Sequence, residues 1–269
     1  QKQVDSPIKK FALENNLPVL QPATVNTKEF IASLLENRPD YIIVVAFGQI
    51  LSETLLKVPK QFCINLHSSL LPKYRGAAPI NRAILNGETR SGVTTMIMDK
   101  GMDTGDILLV DETPIEQNDD AQSLHDKLSE QGGKLVLETL SRLQKNDLLP
   151  TPQNSDLASY APKLKKEESL IDWKIDAENI FNKIRGLSPW PGTHTLYNGK
   201  RLAILKGEIV LGESSDHPGH VERITDTGIE VGTGKNRLKI TELKLEGKKA
   251  MPVKSFLSGY KITRYDIFK

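Results

Sequence analysis

Cysteine is nearly absent from this sequence of 269 residues, because Cys63 is the single one and no internal disulfide can form. Its neighbours Phe62 and Ile64 are apolar, which indicates a buried thiol in a reducing compartment. No apolar run approaches the roughly 20 residues that a membrane-spanning helix needs, and the amino end shows no secretory signal pattern. The sequence therefore predicts a soluble protein of the cytoplasm, or of an organellar matrix if the source is a eukaryote.

Other signatures are missing as well. The sequence has no internal repeats, no low-complexity tracts and no glycine-rich phosphate-binding loop, and its five histidines lack the spacing of metal ligands. We therefore expect no metal and no nucleotide cofactor. What remains is an ordinary globular composition, 38% hydrophobic and 26% charged, on a chain long enough for two domains.

Charge is divided unevenly between the two halves of the chain. Residues 1–150 carry 16 Lys and Arg against 19 Asp and Glu, whereas residues 151–269 carry 20 against 15. A basic surplus in the second half is compatible with an RNA backbone lying across it, although a surplus of this size is commonly just a solvated surface. The basic residues near the helix predicted at residues 77–85 have the same two interpretations; they are Lys73, Arg75, Arg82 and Arg90.

The first half of the sequence has an α/β pattern. Capping residues and apolar spacing predict helices at residues 7–15, 28–36, 77–85 and 121–143. Apolar runs predict strands at residues 17–20, 41–47, 62–64, 93–98 and 107–110. We interpret residues 1–146 as one domain with a mostly parallel, Rossmann-like sheet, in which the long last helix packs on the sheet through Leu124, Leu128, Leu135, Leu137 and Leu140.

The second half has a different pattern. Residues 147–164 are rich in proline and polar side chains and indicate a linker. Beyond it, residues 177–187 predict a helix, and short strands recur at residues 194–197, 201–206, 219–224, 228–232 and 237–245. Strands of this length with frequent turns predict a small antiparallel barrel over residues 165–269.

Three side chains stand out as candidates for chemistry. Asn65 and His67 follow the apolar run that begins at residue 62. Side chains two residues apart on a strand point the same way. An amide and an imidazole aimed at one spot can stabilise an oxyanion, and a carboxylate such as Asp103 can orient the imidazole or take a proton. That combination suits acyl transfer. Taken singly, His67 is more often a structural histidine and Asp103 more often a turn former, and their spacing does not show that they pair.

Longer motifs surround these residues. They are NLHSSLLP at residues 65–72, RGAAPI at 75–80, MDTGD at 102–106 and, further on, KLKKEE at 163–168 followed by IDW at 171–173. Together they resemble the 10-formyltetrahydrofolate-dependent formyltransferases, and among them those that act on methionyl-tRNA. The resemblance covers essentially the whole sequence, but the usual amino-terminal strand, helix and strand of the family have no counterpart here, which predicts a truncated domain.

The resemblance implies roles for particular residues. It implies that Asn65, His67 and Asp103 are the catalytic set. It further implies that the folate contacts come from two segments of the sequence, Ala46, Phe47 and Gly48 in the first and Ser69, Leu70, Leu71 and Pro72 in the second. The second domain would be a small OB-like β-barrel that binds tRNA.

The activity implied is transfer of the formyl group from 10-formyltetrahydrofolate, a co-substrate, to the amino group of initiator methionyl-tRNA, by a monomer and without a metal. Asn65 and protonated His67 would stabilise the oxyanion, and Asp103 would keep His67 charged and help to move a proton to the departing folate nitrogen. Two alternatives stay open. One is the same chemistry with another acceptor, including hydrolysis of the formyl group, and the other is an RNA-binding fragment without catalysis.

Overall fold

The structure is a computed structural model that describes residues 5–212 and 217–269. The chain separates into two compact units, Gln1–Ile64 and Asn65–Lys269, and each is described by itself. The division falls inside a strand, between Ile64 and Asn65.

From residue 5 onward, the first unit contains α1 (Pro7–Glu14), α2 (Lys28–Asn37), β1 (Tyr41–Val45), α3 (Glu53–Leu56) and the beginning of β2 (Phe62–His67). The helix starts predicted from capping residues are confirmed, because the side chains of Ser6 and Thr27 accept backbone N–H groups at the starts of α1 and α2. β1 is shorter than predicted. It ends before Ala46, whose φ of 47° takes the backbone out of the extended region.

The strand predicted at residues 17–20 is wrong. This segment forms no strand in the structure, and Leu17 and Leu20 are 52% and 63% exposed. A strand needs a neighbour to take its backbone hydrogen bonds, and an apolar run alone does not supply one.

The second unit begins with the rest of the α/β sheet, where β2 lies beside β4 (Arg90–Ile97) and β4 beside β5 (Ile107–Pro114). β4 and β5 pair antiparallel and confirm the strands predicted at residues 93–98 and 107–110, on either side of Asp103. β3 (Arg75–Gly76) and α4 (Pro79–Leu85) lie between β2 and β4 in the sequence. The α/β class is confirmed for this part of the chain.

Helix α5 (Ala121–Gln144) covers this sheet, as predicted. Leu124, Leu128 and Leu135 are buried on its apolar face, and Asp120 caps its start. The prediction that Leu137 lies on the same face is wrong, because its side chain is 70% exposed. A helix turns about 100° per residue, so Leu135 and Leu137 cannot both face the sheet.

The segment after α5 is more structured than the predicted linker. It contains a 3₁₀ turn at Ser155–Leu157 and strand β6 (Tyr160–Ala161), which pairs parallel with β3. A second 3₁₀ turn at Lys166–Ser169 precedes α6 (Ala177–Gly186).

The remaining strands form an antiparallel sheet in the order β7-β8-β11-β10-β9. Their bounds are β7 Thr193–Tyr197, β8 Lys200–Val210, β9 Val221–Thr225, β10 Gly228–Gly232 and β11 Arg237–Leu245. A short strand β12 (Met251–Pro252) joins β11 and leads into α7 (Val253–Gly259). The predicted small antiparallel domain is confirmed. Among the described residues its strand order is an open path, with no pairing of β7 to β9 that would close a barrel.

The core of this sheet contains large apolar side chains that are almost fully buried, among them Trp173, Leu202, Ile229, Phe256 and Phe268. Trp173 donates its indole N–H to Thr195 Oγ1 at 3.0 Å, so the polar end of the ring is satisfied inside the core. Among the helices that the structure describes, none is both long enough and apolar enough to cross a membrane.

Candidate active site

Strand β2 presents Asn65 and His67 on one face and Leu66 on the other. Leu66 packs against Gly132 of α5, where an added Cβ would lie 2.6 Å from Leu66 Cδ2. Because side chains alternate along a strand, Asn65 and His67 point away from α5. Within the described residues the Asn65 amide has no hydrogen-bond partner, and the residue is only partly buried. It is therefore free to donate to a ligand.

His67 is buried, with 6% of its surface exposed, and one of its ring nitrogens is committed. Nε2 lies 2.9 Å from the carbonyl oxygen of Tyr74. A carbonyl can only accept, so Nε2 is the donor. This bond fixes the tautomer of the neutral ring and leaves Nδ1 as the nitrogen available for chemistry.

Asp103 lies beside that available nitrogen. Its Oδ2 is 3.8 Å from His67 Nδ1 and accepts the backbone N–H of Gly76 at 2.8 Å. The structure thus brings two of the predicted residues together, although they are far apart in sequence. The distance of 3.8 Å is longer than a hydrogen bond, so the pair interacts through charge once His67 is protonated.

The loop that carries Asp103 is held by hydrogen bonds between its own residues. Asp99 accepts both the Thr104 hydroxyl, at 2.7 Å, and the backbone N–H of Gly101, at 2.9 Å. Asp103 itself has a left-handed backbone with φ of 55°, which an aspartate tolerates better than most residues. Gly105 packs so closely on the carbonyl of Ile97 that a Cβ would not fit there. The tight turn explains the glycine.

The loop after His67 is also closed by internal hydrogen bonds. Ser69 Oγ donates to Lys73 O at 2.6 Å, and Thr94 Oγ1 donates to Ser69 O at 2.7 Å. Tyr74 ends the loop with a left-handed φ of 61° and donates its hydroxyl to Glu88 at 2.8 Å. Burial, ahead of the influence of Glu88, raises the pKa of Tyr74 to about 12, so the hydroxyl stays protonated and keeps donating.

The residues predicted to contact folate fall in both units. In the second unit Ser69 and Leu71 are buried, and Leu70 and Pro72 are partly exposed. In the first unit the segment Ala46, Phe47 and Gly48 is exposed, with Phe47 at 45%. Their contacts with folate stay a prediction.

The basic residues near α4 are mostly engaged within the protein. Arg75 is 3% exposed and donates to Gln153, so the interpretation of Arg75 as a surface contact for RNA is wrong. Arg82 pairs with Glu168 at 2.6 Å, and Arg90 pairs with Glu112. The side chains of Arg90 and Lys73 are the most exposed of the four, at 67% and 58%.

Sequence reasoning missed Gln153, which contacts the Asp103 loop from the segment interpreted as a linker. No periodicity marks such a residue, because it acts through its side-chain amide from irregular backbone. Among the described residues no three side chains of the metal-ligating types converge. The arrangement offers instead an amide donor, a ring nitrogen and a carboxylate, which together can bind and polarise a carbonyl and move a proton.

Comparison with known proteins gives consistent results along the chain. The family model "Formyl transferase" matches residues 1–140, and "Formyl transferase, C-terminal domain" matches residues 163–261. A protein of Citrifermentans bemidjiense named methionyl-tRNA formyltransferase is 48% identical over 262 residues, which is 97% of this chain and 82% of that protein.

Solved structures agree on the fold. An N-formyltransferase from Helicobacter canadensis in complex with folinic acid and dTDP-3-aminofucose has a TM-score of 0.66 and 23% identity, covering 88% of this chain and 84% of its own. A methionyl-tRNA formyltransferase from Clostridium thermocellum has a TM-score of 0.56 and 23% identity, covering 75% of this chain and 86% of its own.

Proposed function

The chain belongs to the formyl transferase family, among the methionyl-tRNA formyltransferases, and from this premise we propose what it does. We propose that it transfers the formyl group of 10-formyltetrahydrofolate to the amino group of initiator methionyl-tRNA, a step in the initiation of translation. The 48% identity over 97% of the chain supports this acceptor, since the relative carries it in its name. The observation that carries the chemistry is the placement of His67 Nδ1 beside the Asp103 carboxylate.

The reaction begins when the uncharged amine attacks the formyl carbon. The carbonyl π electrons move to the oxygen, which becomes an oxyanion. The Asn65 amide and a protonated His67 Nδ1 donate to that oxygen, because Nε2 is already used by Tyr74 O. The charge of Asp103 stabilises the imidazolium during this step.

The reaction ends with loss of the folate. The new ammonium gives a proton to Asp103 or to water, and that proton passes to the departing folate nitrogen. The carbon–nitrogen bond to the folate then breaks as the carbonyl reforms, which leaves formylmethionyl-tRNA and tetrahydrofolate. Gly76 holds only Oδ2 of Asp103 in the described structure, so Oδ1 is available for this proton.

The predicted division of labour along the chain also belongs to this proposal. Residues 1–146 would supply the catalytic domain, residues 147–164 the connection and residues 165–269 the part that binds tRNA. The surplus of basic residues after residue 150 supports the last assignment. We further propose that the protein acts as a monomer in the cytoplasm, where its tRNA substrate is found.

The assay that tests the proposal follows labelled formyl from 10-formyltetrahydrofolate to aminoacyl-tRNA. Charged initiator tRNA is compared with charged elongator tRNA and free methionine. We expect label on initiator methionyl-tRNA alone. Release of labelled formate without transfer would indicate a hydrolase, and tRNA binding that weakens steeply with salt but gives no transfer would indicate an RNA-binding protein. Either result contradicts the proposal.

A further inference from the structure

A short segment runs across the two loops that hold His67 and Asp103. We call residues 151–161 the strap. At one end Thr151 exchanges two backbone hydrogen bonds of 2.8 Å with Ile107, the first residue of β5. At the other end Ala161 O accepts the backbone N–H of Ala77 at 2.9 Å. The strap is therefore anchored at both ends.

The strap fixes the loop that positions His67. Ser159 Oγ accepts the backbone N–H of Tyr74 at 3.0 Å, and Ser159 O accepts that of Arg75 at 2.9 Å. The carbonyl of Tyr74 accepts the hydrogen bond from His67 Nε2. Both sides of Tyr74 are thus held, its amide by the strap and its carbonyl by the imidazole.

Gln153 extends this support to Asp103. Its Nε2 donates to the carbonyl oxygens of Asp103, at 2.9 Å, and of Gly105, at 2.7 Å. Its Oε1 accepts from Arg75 Nε at 3.1 Å and from Arg75 Nη2 at 2.7 Å. The side-chain amide of Gln153 can take only one orientation here. If it were reversed, its NH₂ would face the N–H groups of Arg75 and its oxygen would face the two backbone carbonyls.

We propose that Gln153 is a positioning residue for formyl transfer. Its amide is bonded to Arg75 and to the backbone of the Asp103 loop, so it acts through that backbone. That loop is joined to β3 twice, by Gln153 through the side chain of Arg75 and by the bond from Gly76 N–H to the Asp103 carboxylate. The amide therefore sets the distance from Asp103 to His67. The expected loss of kcat rests on the proposed function, whereas the hydrogen bonds of Gln153 do not.

The variant Gln153→Glu separates positioning from packing. Glutamate has the same size and keeps a partner for Arg75, but it places an oxygen where two carbonyls need a donor. We expect kcat to fall roughly 10- to 100-fold, because a displaced catalytic group loses its alignment. KM for each substrate should stay within about twofold, since no binding contact is removed. Gln144→Glu, the same change at an exposed position at the end of α5, should leave both unchanged.

A second readout does not depend on activity. The Gly76 amide donates to the Asp103 carboxylate, so its proton chemical shift reports the place of that carboxylate. We expect the shift to move in Gln153→Glu and to stay in Gln144→Glu. If Gln153→Glu does not fold, Gln153→Met supplies the same measurement, because it has similar length and no donor. An unchanged Gly76 shift overturns the proposal whatever happens to kcat. A wild-type protein that transfers no formyl overturns the proposed function instead and leaves this test intact.

Discussion

At the scale of single residues, we propose that the charge of Asp103 matters more than its shape. One oxygen accepts a backbone N–H from Gly76, which an amide oxygen can also do, and the same oxygen lies 3.8 Å from His67 Nδ1. An asparagine keeps the first contact and loses the charge that stabilises an imidazolium. The role of Asp103 can therefore be tested without a large change in structure.

We expect Asp103→Asn to lower kcat about 10²- to 10⁴-fold, the range for loss of an acid–base group. The melting temperature should change little, because the contact with Gly76 survives. Steady-state transfer of labelled formyl measures the first quantity and thermal unfolding the second. Asp106→Asn, three residues further on the same loop, is the matched control and should behave as wild type. Equal activity of the two variants would contradict the role of Asp103.

Sequence reasoning reached the candidate residues one by one but not their arrangement. Asn65 and His67 could be placed on one face because strand alternation is a local rule. The approach of Asp103 to His67 depends on the antiparallel pairing of β4 with β5 and on Gly76, so spacing could not reveal it. For Arg75 the sequence prediction is wrong. A charged residue beside a helix is expected at the surface, but Arg75 is buried and donates to Gln153.

At the scale of elements, α5 lies close to β2 because Gly132 has no side chain. A Cβ at residue 132 would come 2.6 Å from Leu66 Cδ2, whereas one at Gly133 would meet nothing within 4 Å. The two adjacent glycines thus differ in what an alanine would do. Both lie inside a helix, where alanine is otherwise preferred by about 1 kcal/mol.

We expect Gly133→Ala to stabilise the protein by up to about 1 kcal/mol. Gly132→Ala should instead destabilise it, because overpacking a tight contact costs roughly 1–3 kcal/mol and outweighs the gain in helix propensity. Urea unfolding of both variants measures the free energies. Equal stabilisation by the two changes would show that Leu66 does not pack on α5 as described.

The elements that could be predicted are those with local signals. Ser6 and Thr27 begin helices with side-chain caps, and the sequence identifies such caps directly. The false strand at residues 17–20 and the missed strand β6 share one cause. Pairing in a sheet depends on distant residues, and a run of four or fewer residues has no periodicity that could reveal it.

At the scale of the whole molecule, one ion pair joins α4 to the start of the carboxyl-terminal part within the second unit. Arg82 Nη1 donates to Glu168 Oε2 at 2.6 Å, and its Nη2 donates to Oε1 at 3.0 Å. The hydrogen bonds from Arg82 lower the pKa of Glu168 below the ordinary 4.5, against the opposing effect of burial. The side chains are 16% and 29% exposed, so solvent screens the pair only partly.

The pH dependence follows from the lowered pKa. Stability from this pair is present above pH 4.5, the ordinary value, and is lost as the pH falls through the lower folded value. We expect Glu168→Gln to cost about 1–2 kcal/mol at neutral pH, as for a hydrogen bond to a charged group. The difference from wild type should shrink below pH 4.5. Urea unfolding across this range measures it, with the exposed Glu167→Gln as control. A difference that grows toward acid pH would contradict the assignment.

The large-scale organisation was predictable in class but not in detail. The change from α/β pattern to short strands with turns near residue 165 identified the antiparallel part, because each pattern reflects a different kind of burial. The open strand order from β7 to β9 and the contacts of the strap needed the structure. Long-range pairing of irregular backbone leaves no mark in a single sequence.

The most direct test of the account is single-turnover formyl transfer to initiator methionyl-tRNA by three proteins, wild type, His67→Ala and His125→Ala. His125 lies on α5 with its side chain 60% exposed and serves as the matched control. We predict equal rates for wild type and His125→Ala, and a rate about 10²- to 10⁴-fold lower for His67→Ala. A His67→Ala protein that folds and transfers formyl as fast as wild type would contradict the mechanism.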